Sequence, residues 1–378
     1  MNDSDFQYMR LAAVPEVGAK MAARLLEKFG SVENIFSASK SELMQVERMR
    51  QKCADSILAS ANLIGKTYLE RMAKLKIEYV GVENEKYPQS LRSFDSMPVG
   101  LYVRGNADIL NMPCIAIVGT RFCSVYGQMC ARAFARDFAE AGFCVVSGMA
   151  RGIDSYAHMG ALEANGKTIA VLGNGVDVVY PPENSKLYED ISQKGAVVSE
   201  FKLGQRADRA SFPMRNRIVA GLSLAVVVIE SGLKGGSMIT ASIAAEQGKD
   251  VFAVPGRIDS ESSAGCHALI KDGALLATSA RDVIEQLRFC GRAAMPKNGC
   301  AVQGELNLPT PKISQLNLDS LGSDEKFVFE FFKDGAKLSA NEISLKCEMP
   351  PAKIAVCLSM LEIKKFLKRT IGDKYERM

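Results

Sequence analysis

Between Cys114 and Val254 the chain repeats one pattern: a short apolar, β-rich run, then a stretch with helical texture. The runs are Cys114–Val118, Phe143–Val146, Thr168–Leu172, Ala196–Ser199, Leu224–Ile229 and Val251–Val254. Helical stretches such as Gln128–Ala141, Asp154–Asn165, Ser185–Lys194 and Ser237–Gln247 lie between them. A strand that is apolar along its whole length has both faces covered. The pattern therefore predicts an α/β fold, with βαβ units on a parallel sheet buried between helices.

The flanks have a different texture. A length of 378 residues leaves room for two or three domains of about 100–200 residues each. Residues 1–75 show Met/Leu/Ala periodicity and no strand-like run, which predicts a helical domain. Its segment Val14-Pro-Glu-Val-Gly18, followed by a helix and then Phe29-Gly30-Ser31, resembles a helix-hairpin-helix or SAM-like module. In such modules the N–H groups of the glycine turn meet a DNA phosphate. A helical bundle that uses the turn only for packing fits the balanced charge here better. Ile77–Val82 and Gly100–Gly105 read as strands around a Tyr87-Pro88 loop, opening a sheet domain expected over 76–290. Residues 291–322, with Gly, Pro, Asn and Lys and weak periodicity, read as a linker. Over 323–378 helices are expected at Ser323–Lys333, Ser339–Cys347 and Pro351–Phe366, then a small β-wing from Leu367 to Tyr375: a winged helix.

Composition excludes more than it selects. An apolar fraction of 47% with 24% charged residues is that of an ordinary soluble protein. No apolar run approaches the ~18–20 residues of a membrane span, and the opening Met1–Asp5 is acidic rather than signal-like. The ten cysteines are scattered with no C-x-x-C pair, and only His158 and His267 could join them. Reduced thiols in a cytoplasmic protein are expected, with no metal site. A net charge of +4 is small, so any anion-binding surface must be local.

That local charge lies between two strands that both end on a carboxylate, Glu200 and Glu230. From Lys202 to Gly221 there are five Lys/Arg against one acid, and Phe212-Pro-Met-Arg-Asn-Arg217 sits at the end of the segment. An aromatic beside arginines at the carboxyl edge of a parallel sheet stacks a base and holds the phosphates next to it. The alternative is a helix start whose arginines pair with Glu200 and Glu230. Pro213 restrains Phe212 to an extended backbone, which predicts a ring held outward before a helix begins. The other strands end in glycine-rich turns, at Gly119-Thr120-Arg121 and Ser147-Gly148, and Gly235-Gly236-Ser237 precedes a helix. Such turns offer N–H groups to an anion.

Several chemistries are missing. Gly166-Lys167-Thr168 leaves a helix and enters a strand, the reverse of a phosphate-binding P-loop, and no G-x-G-x-x-G follows a strand. No nucleotide or other cofactor is indicated. His158 follows Asp154 by four residues, so the two either pair on one helix face or, the favoured reading, the histidine simply packs.

At this point a family resemblance emerges. Ile117-Val-Gly-Thr-Arg121 with Ser124 and Tyr126-Gly127, Val146-Ser-Gly-Met-Ala-Arg-Gly-Ile-Asp154, Thr168-Ile-Ala-Val-Leu-Gly173, Phe212–Leu222 and Val251-Phe-Ala-Val-Pro-Gly256 resemble the DNA-processing protein A (DprA) family. The likeness runs from about Tyr87 to Leu276. It implies an extended Rossmann-like domain, flanked by the SAM-like and winged-helix domains, that binds single-stranded DNA, forms homodimers and loads RecA recombinase in natural transformation, without enzymatic activity. The family's DNA-contacting pattern falls on Arg121, Lys186, Phe212, Arg215, Asn216 and Arg217. The rival is a Rossmann-type nucleotide phosphoribohydrolase, whose glycine turn and following acid slightly resemble Gly235–Thr240 with Glu246.

Overall fold

The computed structural model describes residues 2–94, 96, 98–291, 321–335, 338–344, 346, 349–364, 366–370 and 374–377. The chain divides into two compact units, Met1–Leu308 and Pro309–Met378. Apart from its ends, the linker expected over 291–322 lies outside the described residues.

The first unit opens with α1 (Asp3–Ala13), α2 (Ala19–Phe29), α3 (Val32–Ser37), α4 (Lys40–Met44), α5 (Gln51–Leu58) and α6 (Lys66–Lys74). Local chemistry sets the boundaries. Gly30 ends α2 at φ +76°, a left-handed conformation that glycine adopts without a Cβ penalty. Ser31 then caps α3 by accepting from Asn34 N, and Ser39 with Glu42 forms a capping box on α4. Tyr8, Leu11, Leu25, Ile35 and Ile57 lie in one buried cluster with the strand residues Tyr79, Tyr102 and Val198. Asp5 stitches the same junction, its Oδ1 accepting from Gly81 N at 2.8 Å and its Oδ2 from Asn84 Nδ2 at 2.7 Å.

Next come β1 (Ile77–Gly81), β2 (Gly100–Gly105), β3 (Cys114–Gly119), α7 (Val125–Glu140), β4 (Cys144–Ser147), α8 (Ile153–Glu163), β5 (Thr168–Val171), α9 (Ser185–Lys194), β6 (Ala196–Ser199) and α10 (Ser211–Leu222). The unit closes with β7 (Ala225–Ile229), α11 (Gly236–Glu246), β8 (Asp250–Ala253), α12 (Ala264–Lys271), β9 (Leu275–Leu276) and α13 (Ala280–Phe289). They form one sheet in the order β1-β2-β6-β5-β4-β3-β7-β8-β9. All neighbours are parallel except β1 with β2 and β2 with β6. The two-residue period of a strand sorts β3 cleanly. Ile115 and Ile117 pack with Phe134, Phe138 and Leu287 on one face, while Cys114, Ala116 and Val118 join the cluster that reaches α1 on the other. Both faces are thus covered, as the continuous apolar runs required. From β3 the chain steps outward through β4 and β5 to β6, then returns across β3 to β7. The reversal opens a crevice at the carboxyl ends of β3 and β7, where open α/β sheets bind ligands.

One local expectation needs correction, and one strand was not foreseen. Phe212 is not extended before a helix. It lies in the first turn of α10, with Pro213 at the third position, where no intrahelical acceptor awaits an N–H and proline is tolerated. And β9, only two residues long, gave no run for a pattern to register.

The second unit contains α14 (Ser323–Phe329), β10 (Leu338–Ser339), α15 (Ala340–Ser344), α16 (Pro351–Ile363), β11 (Leu367–Thr370) and β12 (Lys374–Arg377). Its strands pair antiparallel in the order β10-β12-β11. The helix expected to Lys333 stops at Phe329 and tightens into a 3-10 segment, Glu330–Gly335. Val328, Phe332, Ile343, Ile354, Leu358, Leu361 and Phe366 form a separate core. Among the described residues no helix is long and apolar enough to cross a membrane.

Candidate functional site

The crevice predicted by the strand reversal is a basin of about 350 Å³. Its walls come from the turn after β3 (Gly119, Thr120, Arg121, Phe122), the turn after β4 (Gly148, Ala150), α8 (Asp154), α10 (Phe212, Arg215, Asn216) and the segment entering α11 (Ser231, Gly232, Gly235, Gly236, Ser237). A smaller lobe shares Arg121, Gly148, Phe212 and Arg215 and extends toward Arg151, Asn174 and Tyr180.

Arg121 is exposed, and its guanidinium lies over the Phe212 ring at 5.2 Å from the centroid. Tyr180 is also close, its ring 6.0 Å from that of Phe212 and tilted by 39°. Phe212 is therefore half-buried, with Arg121 and Tyr180 both in contact with its ring, rather than presented alone. Asn216 Oδ1 accepts from Arg215 Nε at 3.1 Å, and its amide reaches Gly236 O at 3.3 Å.

Arg215 forms the floor. It is buried, and its Nη1 donates to the carbonyls of Gly148 (2.5 Å) and Val171. Gly148 is required by this approach, since a Cβ there would overlap the guanidinium. Burial pulls the Arg215 guanidinium below its ordinary value; Asp154 opposes that shift and Arg121 adds to it. Burial likewise raises the Asp154 carboxyl, against the pull of Arg215 and of the Ala150 and Gly148 N–H groups. In both groups desolvation outweighs their mutual attraction. An arginine keeps its proton regardless, so an anion entering the basin would relieve the cost of holding this charge out of water.

The two glycine turns differ in what they offer. After β4, the carboxylate of Asp154 already takes the N–H groups of Gly148 (3.1 Å) and Ala150 (3.3 Å). That turn is filled from within. The α11 N-terminus carries no side-chain cap, and a Cβ on Gly236 would meet nothing within 4 Å. Its orphan N–H groups and positive dipole end face the basin. Beside it, Glu230 sits at φ +49° at the end of β7, and Met149 at φ +54° after β4. Such non-glycine residues cost about 1–3 kcal/mol each and cluster at functional sites.

Of the residues singled out in the sequence, Gly119, Thr120, Arg121, Gly148, Phe212, Arg215, Asn216, Gly235, Gly236 and Ser237 line the basin together, while three residues do not. Ser147 is fully buried and donates to Ile117 O at 2.6 Å. Lys186 is exposed on the first turn of α9. Arg217 points away to a largely buried pair with Glu200 and to Ser96 O, the helix-start pairing weighed as the alternative. Glu230 does not pair with arginine. Its carboxylate holds the start of α7 by accepting from Ser124 N (2.8 Å) and Ser124 Oγ (2.5 Å). His158 does not pair with Asp154 either: it is fully buried with Nδ1 at 2.7 Å from Thr168 Oγ1. Sequence reasoning missed Phe122 and Asp154 as a turn-filling acid, while Arg206 and Arg209, counted in the basic segment, are exposed and do not line the basin. The position of Phe122 in the turn after β3, next to Arg121, was the available signal.

The basin belongs to a sheet whose switch point presents arginines, an aromatic and an uncapped helix, the equipment of an anion-binding α/β protein. The chain belongs to the DNA recombination-mediator protein A family, which matches residues 78–288. A SAM-like helix-hairpin-helix tandem matches residues 8–62. Protein Smf of Synechocystis is 35% identical over 291 residues, 76% of this chain and 73% of the relative. DNA processing protein DprA of Streptococcus pneumoniae is 42% identical over 214 residues, 57% of this chain and 76% of that one. The X-ray structure of the S. pneumoniae protein superposes with a TM-score of 0.67 at 34% identity, covering 76% of this chain and 99% of its own. The Helicobacter pylori DNA processing protein A, studied for its single-stranded DNA binding mode, gives a TM-score of 0.52 at 32% identity, over 56% of this chain and 97% of its own.

Proposed function

We propose that this chain binds single-stranded DNA across the basin and delivers it to RecA recombinase during natural transformation. The observation that carries the reading is the uncapped N-terminus of α11 facing the same space as Arg121 and Arg215. Phosphates would lie against Arg121 and the α11 amides, with Arg215 supplying buried positive charge from below. Lys186 and Arg217 do not line this space, so a role for them in DNA contact requires a strand that runs beyond it. The ligand reported for the H. pylori relative supports single-stranded DNA as the substrate class.

The reading includes a homodimer. Its support here is β9, one of the sheet's two edge strands, whose Leu275 and Leu276 are both exposed; an apolar edge invites pairing with a second chain. Residues 323–378 are proposed to act as a winged helix, on the order of helices and antiparallel strands in the second unit. The protein is proposed to work in the cytoplasm without catalysing a reaction. The phosphoribohydrolase alternative fares poorly on geometry: Glu246 is exposed, ten residues along α11 from Gly236, or about 15 Å at 1.5 Å per residue.

The primary test is an electrophoretic comparison of single- and double-stranded oligonucleotides, joined to RecA-driven ATP hydrolysis on single strands coated with single-strand-binding protein. Preferential single-strand binding and restored hydrolysis are expected. Equal binding to both forms, or release of free base from nucleoside monophosphates, would reject the proposal.

A further inference from the structure

Phe122 is 86% exposed, although the sheet domain encloses Phe134, Phe138 and Phe252 almost completely. It stands in the turn between β3 and α7, directly after Arg121, and lines the basin. The turn is held from both sides. Phe122 N donates to Thr120 Oγ1 at 3.2 Å, and Ser124, two residues on, caps α7 while its N and Oγ bond to Glu230. An apolar ring in water on an anchored backbone is already in place for a flat apolar partner, so little ordering is needed on binding.

Phe212 does not offer this. Its ring is engaged by Arg121 and Tyr180, whereas Phe122 has no aromatic or cationic partner among the described residues. We propose that Phe122, not Phe212, is the open stacking platform of the basin, receiving one base of a single strand whose backbone is held at Arg121 and the α11 N-terminus. The inference rests on the reading of the basin as a single-strand site. A nucleobase suits it because the same basin supplies the positive charge for the adjoining phosphate, and because stacking tolerates any base. Val125 and Tyr126 are also exposed on α7 but do not line the basin, so a protein-docking patch is the competing outcome.

The chain contains no tryptophan, so Phe122→Trp places a lone indole reporter at this position. Affinity for a short single strand would be measured for wild type, Phe122→Ala, Phe122→Leu and Phe122→Trp, with melting curves on each. The alanine and leucine variants should melt like wild type and bind about 5- to 150-fold more weakly. Their salt dependence should keep the wild-type slope, because no phosphate contact is lost. The tryptophan variant should bind, with its emission quenched by the oligonucleotide. Wild-type affinity in Phe122→Ala would overturn the inference while leaving the basin reading intact. So would weakened binding with unchanged tryptophan emission. If wild type binds no single strand, the basin reading falls first and the inference with it.

Discussion

Arg121 and Arg215 have the same side chain and opposite situations. Arg121 lies exposed over Phe212, whereas Arg215 is buried against two carbonyls and Asp154. Arg121→Ala is expected to leave the melting temperature nearly unchanged and flatten the salt dependence of single-strand affinity by about 0.7, one contact. Arg215→Ala should destabilise the fold by about 1–3 kcal/mol, because the buried carbonyls of Gly148 and Val171 lose their donor. Paired melting and salt titrations separate the two; equal stability loss in both variants would contradict the assigned burial. A second residue-scale effect concerns His158. The Thr168 hydroxyl donates to Val145 O at 2.7 Å, so the imidazole must donate through Nδ1, and Nε2 is left without a partner among the described residues. Burial, and secondarily Arg215, depress this imidazole from 6.5 to about 3. The unfolded chain therefore takes up a proton that the folded one refuses. Stability contributed at neutral pH should fall by about 1.4 kcal/mol per pH unit between roughly pH 6 and 3. Asp154 and Glu200, whose carboxyls are raised by burial, act with the opposite sign. The difference between wild type and His158→Asn in pH-dependent unfolding isolates the histidine, and a difference that does not change with pH would refute the assignment.

At the scale of elements, the βαβ pattern was legible because strands covered on both faces are apolar throughout, a signal that no surface detail disturbs. The six expected parallel strands are all in the sheet, and the glycine turns fall at its carboxyl edge. What sequence could not resolve was which turns were already occupied. Asp154 fills the turn after β4 from one helical turn away, and nothing in the spacing distinguishes that from a free acid. The arginines of α10 show the same limit. At 215 and 217 they are two residues apart, hence about 200° around a helix, so one enters the basin and the other meets Glu200. Reading Phe212 as extended erred because a proline within the first turn is compatible with the helix itself. The open terminus of α11 yields the element-scale prediction. A Cβ at Gly236 meets no neighbour within 4 Å, and Gly236→Asp puts an acid in an uncapped first turn, which should stabilise the helix by about 0.3–1 kcal/mol. The same charge should repel a phosphate and lower single-strand affinity, most strongly at low salt. Gains in stability and affinity together would show that no phosphate approaches α11.

For the whole molecule, the question is where the chain can be cut. The sheet domain was expected to begin at residue 76, after a separate helical domain, and family matches also break there, at 8–62 and 78–288. The packing has no corresponding seam. Met9, Leu11 and Leu25 share a cluster with Tyr79, Leu101 and Val103, and Asp5 bonds to Gly81 and Asn84. Tyr8 donates to Glu83 at 2.9 Å, and Tyr68 to Tyr102 at 3.0 Å. Removing residues 1–75 would expose the buried apolar face beneath α1 and leave the Gly81 N–H without its acceptor. Burial at about 25 cal/mol per Å² makes such a face costly to uncover, and an exposed patch of that kind promotes aggregation. The second unit has its own core around Phe332, Ile354 and Leu358. A chain ending at Leu308 is accordingly expected to melt in one cooperative transition and to bind single-stranded DNA, whereas a chain starting at residue 76 is expected to be insoluble or to melt without cooperativity. Calorimetry and oligonucleotide binding on both truncations decide the matter. A soluble, cooperatively folded 76–308 fragment would mean that the helical region merely leans on the sheet, and failure of the 1–308 chain would mean that the second unit supports the first.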